Sequence, residues 1–155
     1  MALTVEQARQ AIQSAIEQRV EAEWVSGGIP RTAVQFPDVL GLRDINGQTI
    51  EKPPPESPWL QVDLIWGSSL EATFGISALN ENAALIQLSV FVPRNRGKGP
   101  LNQLVGYAAK IFDRFHGNNL RCRSSSLGPD LPGAGYLVGI VRTAVAFYTE
   151  AGNQF

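Results

Sequence analysis

The chain has 155 residues, 44% of them hydrophobic and 17% charged, with a formal net charge of -1; this fits one domain with a core of its own and gives no global electrostatic case for nucleic-acid binding. The charged fraction is below the roughly 25% of an average soluble domain, which leaves more neutral surface, either for burial against partner subunits or as a Ser/Asn/Gln-rich exterior. The single Cys122 excludes an internal disulfide and a cysteine-clustered metal site, and the single His116 excludes a two-histidine motif.

Taken in order, Thr4 and Gln7 have the spacing of a capping box. Val5, Ala8, Ile12, Ala15 and Ile16 then mark one face of an amphipathic helix, with Val20 at its edge and the helix ending near Trp24. Arg19 falls on the apolar side, where its head must snorkel to water. Val25 to Pro30 breaks the helix, and residues 31–36 read as a possible short extra strand closed by Pro37. Residues 37–58 hold no strong period, contain Gly41, Gly47 and Pro53-Pro54-Pro55, and read as a long Pro/Gly-rich loop, polyproline-like in its last part.

Trp59 to Trp66 alternates, with Leu60, Val62, Leu64 and Trp66 on one face. Gly67-Ser68 reads as a turn into a second strand, Leu70 to Ile76, and Asn80-Glu81-Asn82 as the turn into a third. In that third strand Ile86, Leu88, Val90 and Val92 face one way and Pro93 ends the pairing. The basic loop Arg94 to Gly99 leads to Pro100, placed for the first turn of a helix. Leu101, Leu104, Val105, Ala108, Ile111, Phe112 and Phe115 form its apolar stripe, with Gly117 as the stop and His116 at its end. Leu120 to Ser126 is a polar strand, residues 128–135 a turn-rich loop, and Tyr136 to Tyr148 a long final strand. The pattern predicts a single α+β domain over residues 1–155. An antiparallel sheet, a three-strand meander plus C-terminal strands, is packed by two helices in the order α-β-β-β-α-β-β.

Candidate chemistry is sparse. Arg121 and Arg123 flank Cys122, but alternate residues of a strand point to opposite faces, so Cys122 reads as a small buried residue. The run from Arg94 to Pro100 resembles a phosphate loop in composition only, without its spacing or its Ser/Thr. No acid, base, nucleophile or metal cluster converges, so neither catalysis nor a cofactor is expected. No apolar run approaches the roughly 20 residues of a membrane span, and Met1 to Thr4 lacks the basic-then-apolar pattern of a signal peptide. A cytoplasmic product without a membrane partner is therefore expected.

Val34-Gln35-Phe36-Pro37, Trp59-Leu60-Gln61-Val62 and Leu88-Ser89-Val90-Phe91-Val92-Pro93, the last followed by a Gly-containing turn and a helix ending in Asp113-Arg114-Phe115, resemble the tail terminator proteins of long-tailed bacteriophages. The resemblance runs from Thr4 to Glu150. It implies a structural virion protein, without catalysis, at the tail–neck junction. Such proteins form a hexameric ring that caps the head-proximal end of the tail tube, stops its polymerisation and meets neck or head-completion proteins. Genomic DNA passes through the ring without sequence-specific binding. A ring needs one patch on each subunit to meet a different patch on the next. The patches expected here are Arg94, Arg96 and Lys98 against Asp44 and Glu51, with Ile45, Ile50 and Trp59 supplying apolar area. Alternatives of other kinds are another neck protein, an anion-binding domain using the Arg94–Lys98 loop, or an adaptor that adds a peptide strand to its sheet edge.

Overall fold

The computed structural model describes residues 5–25, 33–36, 41–44, 46, 48–51, 57–71, 79–96, 98–117, 120–128, 131–132 and 135–150. The first helix, α1 (Val5–Val20), continues into a π-helical turn at Glu21–Val25. Short strands β1 (Ala33–Gln35), β2 (Leu42–Arg43) and β3 (Thr49–Ile50) precede the long pair β4 (Trp59–Glu71) and β5 (Leu79–Pro93). A 3-10 turn at Arg94–Arg96 enters α2 (Lys98–Phe112), followed by β6 (His116–Gly117), β7 (Leu120–Leu127), β8 (Leu131–Pro132) and β9 (Tyr136–Glu150). The strands form one sheet in the order β3-β2-β1-β4-β5-β9-β7-β6, with β8 paired to β9. The fold is α+β, a mostly antiparallel sheet with two helices.

Alternation positions the core. Ile86, Leu88, Val90 and Val92 are buried on the face of β5 that the helices cover, beside Leu60 and Val62 of β4 and Val141 and Val145 of β9. Ile12, Ala15, Ile16 and Val20 of α1 and Leu101, Leu104, Ala108, Ile111 and Phe112 of α2 close over them. Each Val, Leu, Ile or Phe among them stabilises the fold by about 1.5–3 kcal/mol through burial. Trp24, in the π-helical turn, is also fully buried. Gly139 of β9 lets α2 lie close, because a Cβ there would run into Val105 and Leu101.

The structure departs from the sequence pattern at several points. Gly67-Ser68 is no turn: β4 runs through it, and the register with β5 shifts between Trp66 and Ser69. Two strands of the expected meander are thus one strand with a bulge, and residues 72–76 of the expected second strand lie outside the described residues. Gly67 is required at the bulge, since a Cβ would stand 2.8 Å from the Ala83 carbonyl oxygen. Asn80, Glu81 and Asn82 lie within β5, paired to β4 and β9, instead of forming a turn. The expected capping residue Thr4 lies outside the described residues.

Residues 31–36 do contain a strand, and β1 pairs parallel with β4, Val34 opposite Leu60. Adjacent parallel strands need a crossover of about a dozen residues or more. The long segment between β1 and β4 provides that crossover. Its described part carries the β2–β3 hairpin, which adds to the sheet on the far side of β1.

Helix α2 stops at Phe112, one turn short of the expected end. Arg114 adopts φ 53°, the left-handed conformation usually given to glycine after a helix. The chain thereby turns into β6, so His116 belongs to a strand, opposite Arg121, and not to a helix end.

Candidate functional site

The face of β4–β5–β9 opposite the helices carries successive cross-strand rows, one of them Gln61, Ser89 and Ile140, with Ser89 and Ile140 buried. At one end Trp59 stacks on Phe91, with ring centroids 3.9 Å apart and planes 6° from parallel, and Tyr136 meets both edge-on. Such aromatic contacts add about 0.5–1.5 kcal/mol each beyond simple burial. The Trp59 indole N–H is buried here without a hydrogen-bond partner among the described residues. In the middle lies a polar row: Asp63 opposite Gln87, Gln87 opposite Arg142, and Arg142 opposite Ser126. The Arg142 guanidinium donates to Gln87 Oε1 at 3.1 Å, and the Gln61 amide reaches the Asp63 carboxylate at 3.3 Å. Beyond it Ile65, Leu85 and Ala144 form an apolar row in which Ile65 is 49% exposed.

The residues expected to form an assembly surface fall in two places. Arg94 is exposed in the turn after β5, its backbone N–H donating to the Gly135 carbonyl at 3.2 Å. Arg96 closes that turn and Lys98 opens α2. Asp44 lies in the turn of the β2–β3 hairpin at the end of the sheet, and Glu51 directly follows β3. Asp44 Oδ1 accepts the backbone N–H groups of Asn46 and Gln48, both at 2.9 Å, so this carboxylate shapes the hairpin turn. Glu51 is exposed and Ile50 half-buried, while Ile45 lies outside the described residues. Trp59 is half-buried in the aromatic stack rather than displayed. Strands β2, β1 and β4 separate β3 from β5, so within one subunit the acidic hairpin and the Arg94 turn stand apart.

A third surface escaped the sequence reading. The turn Asp113-Arg114-Phe115 lies along the outer edge of β7. Asp113 Oδ1 accepts the Ser125 N–H at 2.8 Å, the Arg114 N–H donates to the Arg123 carbonyl at 3.0 Å, and the Phe115 carbonyl accepts the Cys122 N–H at 2.8 Å. The Cys122 and Ser125 N–H groups and the Arg123 carbonyl, which an edge strand would leave for pairing, are therefore already used. Arg114, Arg121 and Arg123 are all exposed at this edge. The signal was present in the sequence only as the two arginines flanking Cys122 and the Asp-Arg-Phe motif. Nothing local indicates that they meet.

Cys122 itself is buried among core residues, and its thiol is pushed from 9.0 up to about 11, chiefly by burial, with Arg19 acting weakly the other way. It is therefore an inert thiol at neutral pH. Among the described residues no group of three or more His, Cys, Asp or Glu could hold a metal ion, and no helix is long and apolar enough to cross a membrane.

No protein-family model matches the chain, and no curated protein does. Ten chains of known structure match. One of them, whose name describes no function, superposes with a TM-score of 0.62 at 16% sequence identity, covering 90% of this chain and 94% of that chain. This is a similarity of fold over nearly the full length of both chains.

Proposed function

We propose that this chain is a structural virion protein of the tail-terminator kind. In this reading copies of it form a ring on the head-proximal end of a phage tail tube, stop the tube's growth and join the tail to neck proteins, with genomic DNA passing through unread. It performs no catalysis and carries no cofactor. One observation supports the reading most: both helices cover one face of the sheet, while the opposite face of β4–β5–β9 carries a mixed apolar and polar relief. On it Gln87 is bonded across strands to Arg142, and Asp63 along its own strand to Gln61. A sheet face of mixed apolar and polar side chains is the kind of surface that contacts another protein. The resemblance in the Leu88–Pro93 strand and the Asp113-Arg114-Phe115 motif supplies the particular assembly.

The test is imaging by negative stain of the purified protein mixed with purified tail tubes. Rings seated on one end of the tubes, and arrested tube extension, are the expected result. Tubes that stay uncapped and keep extending at saturating protein would exclude the terminator role. Rings that bind isolated heads instead of tubes would assign the chain to the head-completion side of the neck.

A further inference from the structure

The outer edges of β7 and β4 are finished differently. Along β7, strand β6 and the Asp113–Phe115 turn take up edge groups between Leu120 and Ser125. Along β4 the neighbouring strand β1 stops early. It pairs with Trp59, Leu60 and Gln61, and among the described residues no strand pairs with that side of β4 from Val62 onward. Pro37, two residues after Gln35, has no N–H with which to carry the ladder further. The direction of the unpaired groups follows from the register. The Gly128 N–H donates to the Ile140 carbonyl, so the Ile140 backbone faces β7 and that of Val141 faces β5. This alternation carries across the unbroken β5–β9 pairing and the β4–β5 pairing as far as Trp66. It turns the backbone of Asp63 and Ile65 toward β5 and that of Leu64 and Trp66 outward. The N–H and C=O groups of Leu64 and Trp66 thus line an open edge.

The side chains beside this edge define what fits it. Residues 62–66 include neither the Lys nor the Pro that commonly guards an edge strand. Ile65 is exposed on the face opposite the helices, and Leu64 is half-buried on the helix side against the core. Asp63 shares the face of Ile65 and accepts from the Gln61 amide, and among the described residues no Lys or Arg pairs with it. An added strand sets one side chain beside Asp63 and one beside Ile65 on that face, and one beside Leu64 on the other. We propose that the β4 edge from Val62 to Trp66 takes an extended segment of another protein as an additional strand, with a basic residue beside Asp63 and apolar residues beside Ile65 and Leu64. Backbone pairing supplies the affinity of such a contact, and the alternate side chains supply its specificity. A second copy of β4 does not meet these requirements: the strand contains no Lys or Arg, so a copy brings only Asp63 and Glu71 to a carboxylate. The edge site does not depend on the tail-terminator reading.

The experiment is amide hydrogen exchange read by NMR on the full chain, alone and with short capped peptides of Val and Thr that carry a central Lys, a central Glu or neither. In the free chain the Leu64 and Trp66 amides should exchange roughly a hundredfold faster than those of Asp63 and Ile65, which pair with β5. The Lys peptide at millimolar concentration is expected to slow exchange at Leu64 and Trp66. The Glu peptide should bind about fivefold more weakly, the most that one exposed charge pair gives, and Asp63→Lys should reverse that order. Leu64→Pro removes an outward N–H and leaves the β5 ladder intact, at a position where an edge strand tolerates proline. Shown folded by a thermal melt, it should no longer bind. If it does not fold, Ile65→Lys, at an exposed position, serves instead and should also weaken binding. Protection of Leu64 and Trp66 in the free chain overturns the proposal: the edge is then covered within the subunit or, where protection grows with protein concentration, by a second copy. So do amides that respond to none of the three peptides, a folded Leu64→Pro protein that binds like wild type, or a Lys preference that survives Asp63→Lys. None of these readouts involves tail tubes, so failure of the edge site and failure of the tail-terminator reading are separately visible.

Discussion

The Arg19 guanidinium of α1 closes the end of α2: its Nε donates to the Ile111 carbonyl at 2.7 Å. The same group pairs with Glu23 at 2.9 Å and lies over the Phe115 ring, 4.9 Å from its centroid. A cation at a helix C-terminus satisfies one of the last carbonyls and opposes the negative end of the helix dipole. One side chain thus ties α1, α2 and the turn leading to β6.

Arg19→Leu should therefore destabilise the domain by about 1.5–3 kcal/mol, the range for a hydrogen bond to a charged group in a partly buried setting. For a chain of this size that lowers the melting temperature by about 3–12 °C. Arg19→Lys should recover little of this, because a single ammonium cannot serve the carbonyl, the carboxylate and the ring together. Thermal melts of the three proteins decide the matter. Equal melting temperatures for wild type and Arg19→Leu would mean that the cap contributes nothing.

Arg114 holds φ 53° without being glycine, a conformation that costs an ordinary residue about 1 kcal/mol or more. Arg114→Gly should stabilise the subunit by up to about 1 kcal/mol, while Arg114→Val should destabilise it. The first substitution also removes a charge from the β7 edge. It should then raise the melting temperature although a charge is lost, an outcome that overall loss of structure cannot produce. Thermal melts of Arg114→Gly and Arg114→Val beside wild type read both effects.

Gly139 leaves room for Val105 of α2, and no Cβ fits between them without movement. Gly139→Ala should cost about 1–3 kcal/mol, as overpacking in a well-filled core does. Val105→Ala in the same chain should restore part of the loss, since the two sites share one contact. A double-mutant cycle from denaturant melts checks this, and strictly additive effects would place the strain elsewhere.

Burial raises the Cys122 thiol from 9.0 to about 11. At pH 8 the native protein should resist alkylation far more than the urea-unfolded chain, as thiol labelling under the two conditions would show. The linkage has a definite sign. Below pH 9 both states keep the proton and stability is unaffected. From about pH 9 to 11 the unfolded chain releases it first, so Cys122 contributes a loss of stability as pH rises through that window. Cys122→Ala should remove this part of the alkaline decline while creating a small cavity.

Much of the architecture is legible in local pattern. The alternation from Leu85 to Val92 sets which side of β5 is buried, and the stripe from Leu101 to Phe112 sets which side of α2 meets it, because side-chain direction in a strand or helix follows from the backbone's own period. Cys122 reads as buried for the same reason. The remaining features depend on groups distant in the chain. Gly67-Ser68 has the composition of a turn, and only the Ala83 carbonyl opposite makes it a bulge inside a continuous strand. The long Pro/Gly-rich segment has no period of its own; its length follows from the parallel pairing of β1 with β4, which demands a crossover. Arg114 takes a glycine's conformation because Arg123 and Ser125 hold the turn in place on both sides. The arginine edge is likewise a product of tertiary contacts. Arg114 and Arg123 become neighbours only once long-range contacts have laid the Asp113–Phe115 turn along β7. Local propensity carries information about φ, ψ and burial over a few residues, whereas the position of a charge on the assembled surface is decided by contacts that form across the whole chain.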